Sequence, residues 1–154
     1  MDSLYLILGS EGALADSALL KLTSQLKEES AEVTTLFASE VIVGDIADAL
    51  APSLFSERRA LIIKELQDLT EESRDEITRY LDNVDATTTV IFMHKGGVKG
   101  KALLDAIKKA KATIIACEPL KKESEKQEFV RNLFLDLGRK ASAAAVNALV
   151  NAVG

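Results

Sequence analysis

Cysteine and histidine each occur once in this 154-residue chain, and proline only twice. A single cysteine, Cys117, cannot build a disulfide framework, so the fold must be held by a core. Beside the apolar run Thr113 to Ala116 it is expected as an inert, half-buried thiol. A single histidine excludes a histidine-rich metal site and a Cys–His metal cluster, and leaves His94 with Cys117 as the one formal nucleophilic pair. The absence of low-complexity tracts, with 47% hydrophobic and 28% charged residues, excludes a disordered chain. Long hydrophobic runs are missing too: the longest is about five residues, against roughly 20 for a bilayer span. The N-terminus has neither the basic start nor the apolar stretch of a signal peptide, so a cytoplasmic protein without a membrane partner is expected.

What is present alternates. Leu4 to Leu8 is a continuous apolar run, followed by Gly9-Ser10-Glu11-Gly12 and a helical pattern with Leu14, Ala18, Leu22 and Leu26 on one face. The unit recurs as Val33 to Phe37 with the short helix Asp45 to Leu50, Ala60 to Ile63 with Thr70 to Val84, Thr88 to Met93 with Val98 to Ala110, and last Thr113 to Ala116. Five strands separated by four helices predict an α/β fold with a parallel sheet covered on both faces, which suits apolar runs better than alternating ones. Thr70 is the expected N-cap of its helix, with Glu71 and Glu72 in the first turn and Ile77, Leu81 and Val84 as its buried stripe. After Pro119 the pattern changes. Ser124-Glu125-Lys126-Gln127 reads as a capping box opening a helix with Phe129, Val130, Leu133, Phe134 and Leu137 on its apolar face, and Ser142 caps a second helix, Ala143 to Val153. Two such helices leave apolar stripe uncovered, so a third helix or a neighbouring domain is expected with them.

The catalytic constellations are thin. A phosphate-binding P-loop needs Gly, four residues, then Gly-Lys-Ser/Thr. Counted from Gly9, those last places hold Leu14, Ala15 and Asp16. The lysine for the phosphates and the hydroxyl for magnesium are both lacking, and Asp16 and Glu11 repel a polyphosphate, which leaves only weak anion binding by the backbone amides at the helix start. His94 closes its strand where α/β sheets place ligands, yet Lys95-Gly96-Gly97 follow, and a solvated strand-end histidine is expected. Glu71, Glu72, Asp75 and Glu76 suit a helix dipole and a solvated face, with no acid/base role. Lys95, Lys99, Lys101, Lys108, Lys109 and Lys111 form the densest local charge and face only Asp105. They are a candidate nucleic-acid or partner face. Against that, the chain carries a net charge of -5, no arginine or aromatic interleaves with them, and Lys101, Asp105 and Lys109 make an ordinary solvated row over a core face of Val98, Ala102, Ala106, Ile107 and Ala110.

Pro52-Ser53-Leu54-Phe55 remains. Pro52 stops the preceding helix, and Ser56, Glu57, Arg58 and Arg59 fill the positions before the apolar run Ala60 to Ile63, so two large apolar side chains fall on a connection. From the residues alone they are either folded into the core or held out for a partner.

Leu4-Tyr5-Leu6-Ile7-Leu8-Gly9-Ser10-Glu11, the stretch Pro52 to Ile63 with Ser-Leu-Phe before Glu-Arg-Arg, Thr89-Val90-Ile91-Phe92, and Lys99-Gly100-Lys101-Ala102-Leu103 resemble, in consistent order, the N-terminal half of the bacterial DNA polymerase III delta subunit. That resemblance implies a three-layer RecA-like, AAA+ domain over residues 1–119 without a functional phosphate loop. Residues 120–154 are then the first two helices of a lid-type helical domain, with the C-terminal collar domain not represented. Lys64-Glu65 stands where AAA+ proteins end a strand in Asp-Glu, so the magnesium-organising aspartate is lost along with the P-loop lysine. The implied protein is a non-catalytic clamp-loader subunit with no cofactor, linked to nucleotidyltransferase chemistry only through the polymerase holoenzyme. Its implied partners are the sliding clamp, the other loader subunits in a hetero-oligomer, and primer-template DNA through the complex. Leu54 and Phe55, with Ser53, match the pair that enters a hydrophobic pocket of the clamp in this family, which helps open the ring. A nucleotide-binding P-loop or AAA+ ATPase and a generic α/β interaction module are the alternatives.

Overall fold

The computed structural model describes residues 1–51 and 56–118 together with Asn132. Chain contacts divide the protein into two units, Met1–Glu118 and Pro119–Gly154, and the described strands and helices all lie in the first. The helices expected within 124–153 fall, apart from Asn132, outside the described residues. Element order is β1 (Leu4–Leu8), α1 (Gly12–Glu28), β2 (Glu32–Phe37), α2 (Asp45–Leu50), β3 (Arg59–Lys64), α3 (Glu71–Leu81), β4 (Thr88–His94), α4 (Lys101–Lys109) and β5 (Thr113–Ala116), with short 3₁₀ turns at Ala38–Glu40 and Leu66–Asp68.

The sheet is parallel throughout, in the order β2-β3-β4-β1-β5. Leu4 pairs with Val90 and Leu61 with the same Val90, so side chains of equal parity line up across the three central strands. Period-two alternation then sorts them onto two faces. Leu4, Leu6, Leu61, Ile63, Val90 and Phe92 meet Ile46 of α2, Ile77 of α3, and Leu103, Leu104 and Ile107 of α4. Tyr5, Ile7, Ala60, Ile62 and Ile91 meet Leu22 and Leu26 of α1. Both faces of these strands are therefore buried, which is why their sequences are continuous apolar runs. Leu6, Leu61, Ile91 and Phe92 expose no surface at all, and each contributes about 1.5–3 kcal/mol of burial.

Local signals set most boundaries. The Thr70 hydroxyl accepts from the Ser73 N–H at 3.3 Å, as an N-cap should. Gly44, in the left-handed region at φ 99°, opens α2, and its N–H donates to Glu76 Oε1 of α3 at 2.7 Å. Glu76, expected to be merely solvated, thus ties α3 to the start of α2. Two other expectations are corrected. α3 ends at Leu81 rather than Val84, and α4 begins at Lys101 rather than Val98, because Gly100 at φ 73° precedes it. Val98 consequently lies outside the helix and is 85% exposed, and the core face of α4 is Leu103, Leu104 and Ile107.

Candidate functional site

The C-terminal ends of β1, β3 and β4 open on a cleft of about 210 Å³, lined by Gly9, Gly12, Asp16, Lys64, Glu65 and His94 among others. Its wall is the β1–α1 loop, where a nucleotide would meet a P-loop. Gly9 sits at φ 144°, and a Cβ there would lie 2.2 Å from the Cys117 carbonyl oxygen. Three backbone hydrogen bonds hold that close approach: the Gly9 N–H donates to the His94 carbonyl at 3.0 Å, the Cys117 N–H to the Leu8 carbonyl at 2.7 Å, and the Glu11 N–H to the Cys117 carbonyl at 2.9 Å. The glycine serves the contact between β1 and the end of β5. Glu11 then caps α1, its Oε1 accepting from the Ala13 N–H at 3.3 Å, so a carboxylate already occupies the positive end of the helix dipole. Cys117 is 1% exposed, and burial pushes its thiol pKa up, with Glu118 and Glu11 adding to the rise. Among the described residues no three His, Cys, Asp or Glu side chains gather in a way that would hold a metal ion.

His94 departs from its expected solvated state: it is 3% exposed. Its Nδ1 accepts from the Gly96 N–H at 2.8 Å, which places the ring proton on Nε2, and Nε2 donates to the Lys99 carbonyl at 2.7 Å. Both ring nitrogens are satisfied by the loop that follows, because the two glycines after Lys95 turn the chain back over the imidazole at positive φ. His94 is a structural staple of the 95–100 loop. No pairing with Cys117 is formed, since both imidazole nitrogens are engaged by that loop and the Sγ donates to the Ile115 carbonyl at 3.7 Å.

The lysine face is less free than its sequence suggests. Lys95 pairs with Glu65 at 3.5 Å and Lys99 with Asp68 at 3.1 Å, both carboxylates coming from the segment after β3. Lys101, Lys108, Lys109 and Lys111 are exposed on or beside α4.

At the opposite end of the sheet, the residues flanking 52–55 are tied down. Arg59, the first residue of β3, is 8% exposed. Its Nη1 donates to the carbonyls of Leu50 and Ala51 at the end of α2, and its Nη2 pairs with Asp85 Oδ2 at 3.3 Å. The other Asp85 oxygen accepts from the Thr87 N–H at 2.8 Å and hydroxyl at 2.7 Å, and these bonds, with a lesser pull from Arg59, hold the carboxyl below the usual carboxylate range. Arg58 pairs with Glu29 at 2.7 Å, and the Ser56 hydroxyl donates to the Arg58 carbonyl at 2.7 Å. Ser53, Leu54 and Phe55 lie outside the described residues. Sequence reading placed Arg59 on a surface connection and missed its role. The available signal was its place at a strand start, where an arginine beside an apolar run is buried only if partners are supplied.

A five-stranded parallel sheet in this order, layered by helices, with a glycine loop between the first strand and first helix, defines a domain of the RecA-like, AAA+ class. The family model for the DNA polymerase III delta subunit matches residues 5–118. The chain belongs to that family. Among solved structures it is similar to the Bacillus subtilis DNA clamp loader delta protein, at 19% identity and a TM-score of 0.75 over 97% of this chain and 48% of that one. It is also similar to the Thermotoga maritima RuvB Holliday junction branch migration motor, at 16% identity and a TM-score of 0.54, covering 96% and 48% of the two chains. A Thermotoga maritima DNA polymerase III gamma subunit-related protein matches at 13% identity and a TM-score of 0.50, covering 88% and 49%. At these identities the likeness is one of fold, and the chain spans about half the length of the structures it matches. No curated protein matches the sequence. Among the described residues, no helix is long and apolar enough to cross a membrane.

Proposed function

We propose that the protein acts as the clamp-contacting part of a clamp-loader delta subunit, a non-catalytic member of a cytoplasmic hetero-oligomer that opens the sliding clamp for placement on primed DNA. The observation that carries this reading is the family match over residues 5–118. Leu54 and Phe55, with Ser53 beside them, are the residues assigned to the clamp. Two apolar side chains entering a preformed pocket contribute roughly 1.5–3 kcal/mol each by burial. A wedge that binds the opened or strained clamp better than the closed one shifts the ring toward opening, and only that differential affinity can do so.

The cleft at the other end of the sheet supports a scaffold without nucleotide chemistry. Gly9 is engaged with Cys117, Glu11 covers the start of α1, and Asp16 lines the cleft beside a Glu65 that is paired with Lys95. ATP handling then belongs to other subunits of the loader. Lys101 and Lys108 remain the exposed candidates for a primer-template DNA or partner face, with Lys95 and Lys99 partly neutralised by Glu65 and Asp68. Residues 120–154 are assigned to the start of a lid-type helical domain. The direct test is the affinity of the Leu54→Ala/Phe55→Ala variant for the cognate sliding clamp, measured beside its thermal stability. A large loss of affinity at unchanged stability is expected, and unchanged affinity would overturn the assignment.

A further inference from the structure

We infer that Arg59 is a positioning residue for the clamp contact: by clasping the two carbonyls that precede residues 52–55 it fixes the base of that connection. The inference rests on the clamp-contact reading of Leu54 and Phe55. Its observations lie in the described residues on either side. On the upstream side, Leu50 and Ala51 end α2, and their carbonyls are among those a helix C-terminus leaves without an intrahelical partner. Both accept from Arg59 Nη1. On the downstream side, Ser56 and Arg58 are bonded to each other and to the turn after α1: the Ser56 hydroxyl reaches the Ser30 carbonyl at 3.4 Å, and Arg58 pairs with Glu29. Arg59 itself is locked into β3, with its N–H donating to the Thr87 carbonyl at 3.2 Å and its Nη2 held by Asp85.

One guanidinium therefore joins the end of α2, the start of β3 and the turn before β4. Asp85 engages only Nη2, and the two bonds of Nη1 go to the carbonyls of Leu50 and Ala51, immediately before Pro52. A planar fork with five donors can hold three acceptors in fixed directions, whereas a lysine ammonium at the end of a flexible stem holds them poorly. Fixing both ends of a short connection reduces the conformations it samples before binding, and so reduces the ordering cost that the clamp interaction must overcome. Losing the clasp returns that ordering cost for the two side chains of the contact, so it should weaken binding by about tenfold to a hundredfold.

The test is a double-mutant cycle in the full chain, with the cognate sliding clamp as the binding partner. Arg59→Met is expected to weaken clamp binding by about tenfold to a hundredfold in the parent and by less than about twofold in the Leu54→Ala/Phe55→Ala background. Arg59→Lys is expected to recover part of the loss, and it serves as the cycle variant if Arg59→Met does not fold at the assay temperature. In the free protein, amide exchange at Ala51 and residues 56–58 should quicken in both Arg59 variants while the core of β4 stays protected. If the Leu54→Ala/Phe55→Ala variant binds like the parent, the clamp-contact reading fails and the inference falls with it. If that variant loses binding while Arg59→Met and Arg59→Lys do not, or if the Arg59 loss is the same in both backgrounds, the inference alone is overturned.

Discussion

Replacing Gly9 by alanine tests whether the β1–α1 loop is built around its contact with β5. The added Cβ would lie 2.2 Å from the Cys117 carbonyl oxygen and 2.3 Å from its carbon, both backbone atoms that no side-chain rotation can remove. At φ 144° an L-residue is also strained. That strain costs about 1–3 kcal/mol, and moving a packed backbone segment aside costs about as much again. The three hydrogen bonds joining Leu8, Gly9 and Glu11 to His94 and Cys117 would loosen with it. A total of about 2–6 kcal/mol, at about 4 °C per kcal/mol for a domain of this size, lowers the melting temperature by about 8–24 °C. Thermal melts followed by far-ultraviolet circular dichroism read this directly. Gly12→Ala is the control, because nothing lies within 4 Å of a Cβ at that position. Its melting temperature should hold or rise slightly, as alanine favours the helix. A Gly9→Ala protein melting within about 3 °C of the parent, or a Gly12→Ala protein falling as far, would refute the reasoning.

Two further perturbations follow from the same end of the sheet. His94→Ala removes the acceptor of the Gly96 N–H and the donor to the Lys99 carbonyl, and should cost about 2–4 kcal/mol in urea unfolding with faster amide exchange at residues 96–100; a cost under about 0.5 kcal/mol would return His94 to the solvated role its sequence suggested. Cys117 should react with a thiol reagent on the order of a hundredfold more slowly in the folded protein than in urea, and its rate should climb at a higher pH than that of free cysteine, because burial raises its pKa and leaves less thiolate at any given pH; equal rates in the two states would contradict that burial.

Most of the architecture was legible because buried parallel strands have to be continuous apolar runs. Leu4–Leu8, Asp45–Leu50 and Thr113–Ala116 carry the boundaries that their patterns predict, and Thr70 caps where its hydroxyl and the following glutamates indicate. The misreadings come from side chains whose partners are distant in sequence or hidden in backbone groups. His94 looked solvated because its neighbours are Lys95 and Gly96, yet its ring is enclosed by the loop those glycines turn back. Arg59 counts in sequence only as part of a connection, because its acceptors are carbonyls of α2 and a carboxylate 26 residues away. Val98 looked apolar enough for a helix face, but Gly100 delays the helix until Lys101. Lys95 and Lys99 seemed to face only Asp105 because Glu65 and Asp68 reach them from another crossover. The phosphate-loop expectation comes from counting places after Gly9 in the sequence. That the glycine itself is required by the approach of Cys117 is visible only in three dimensions.

The central claim concerns Leu54 and Phe55, and clamp binding by the doubly substituted chain tests it most directly. Equilibrium binding of the cognate sliding clamp, by surface plasmon resonance or calorimetry, would compare the parent with Leu54→Ala/Phe55→Ala alongside a thermal melt of each. Loss of two buried side chains worth roughly 1.5–3 kcal/mol each predicts a fall in affinity of about a hundredfold to ten-thousandfold, with the melting temperature unchanged within about 3 °C. Wild-type affinity together with a large drop in melting temperature would place both side chains in the core and contradict the account.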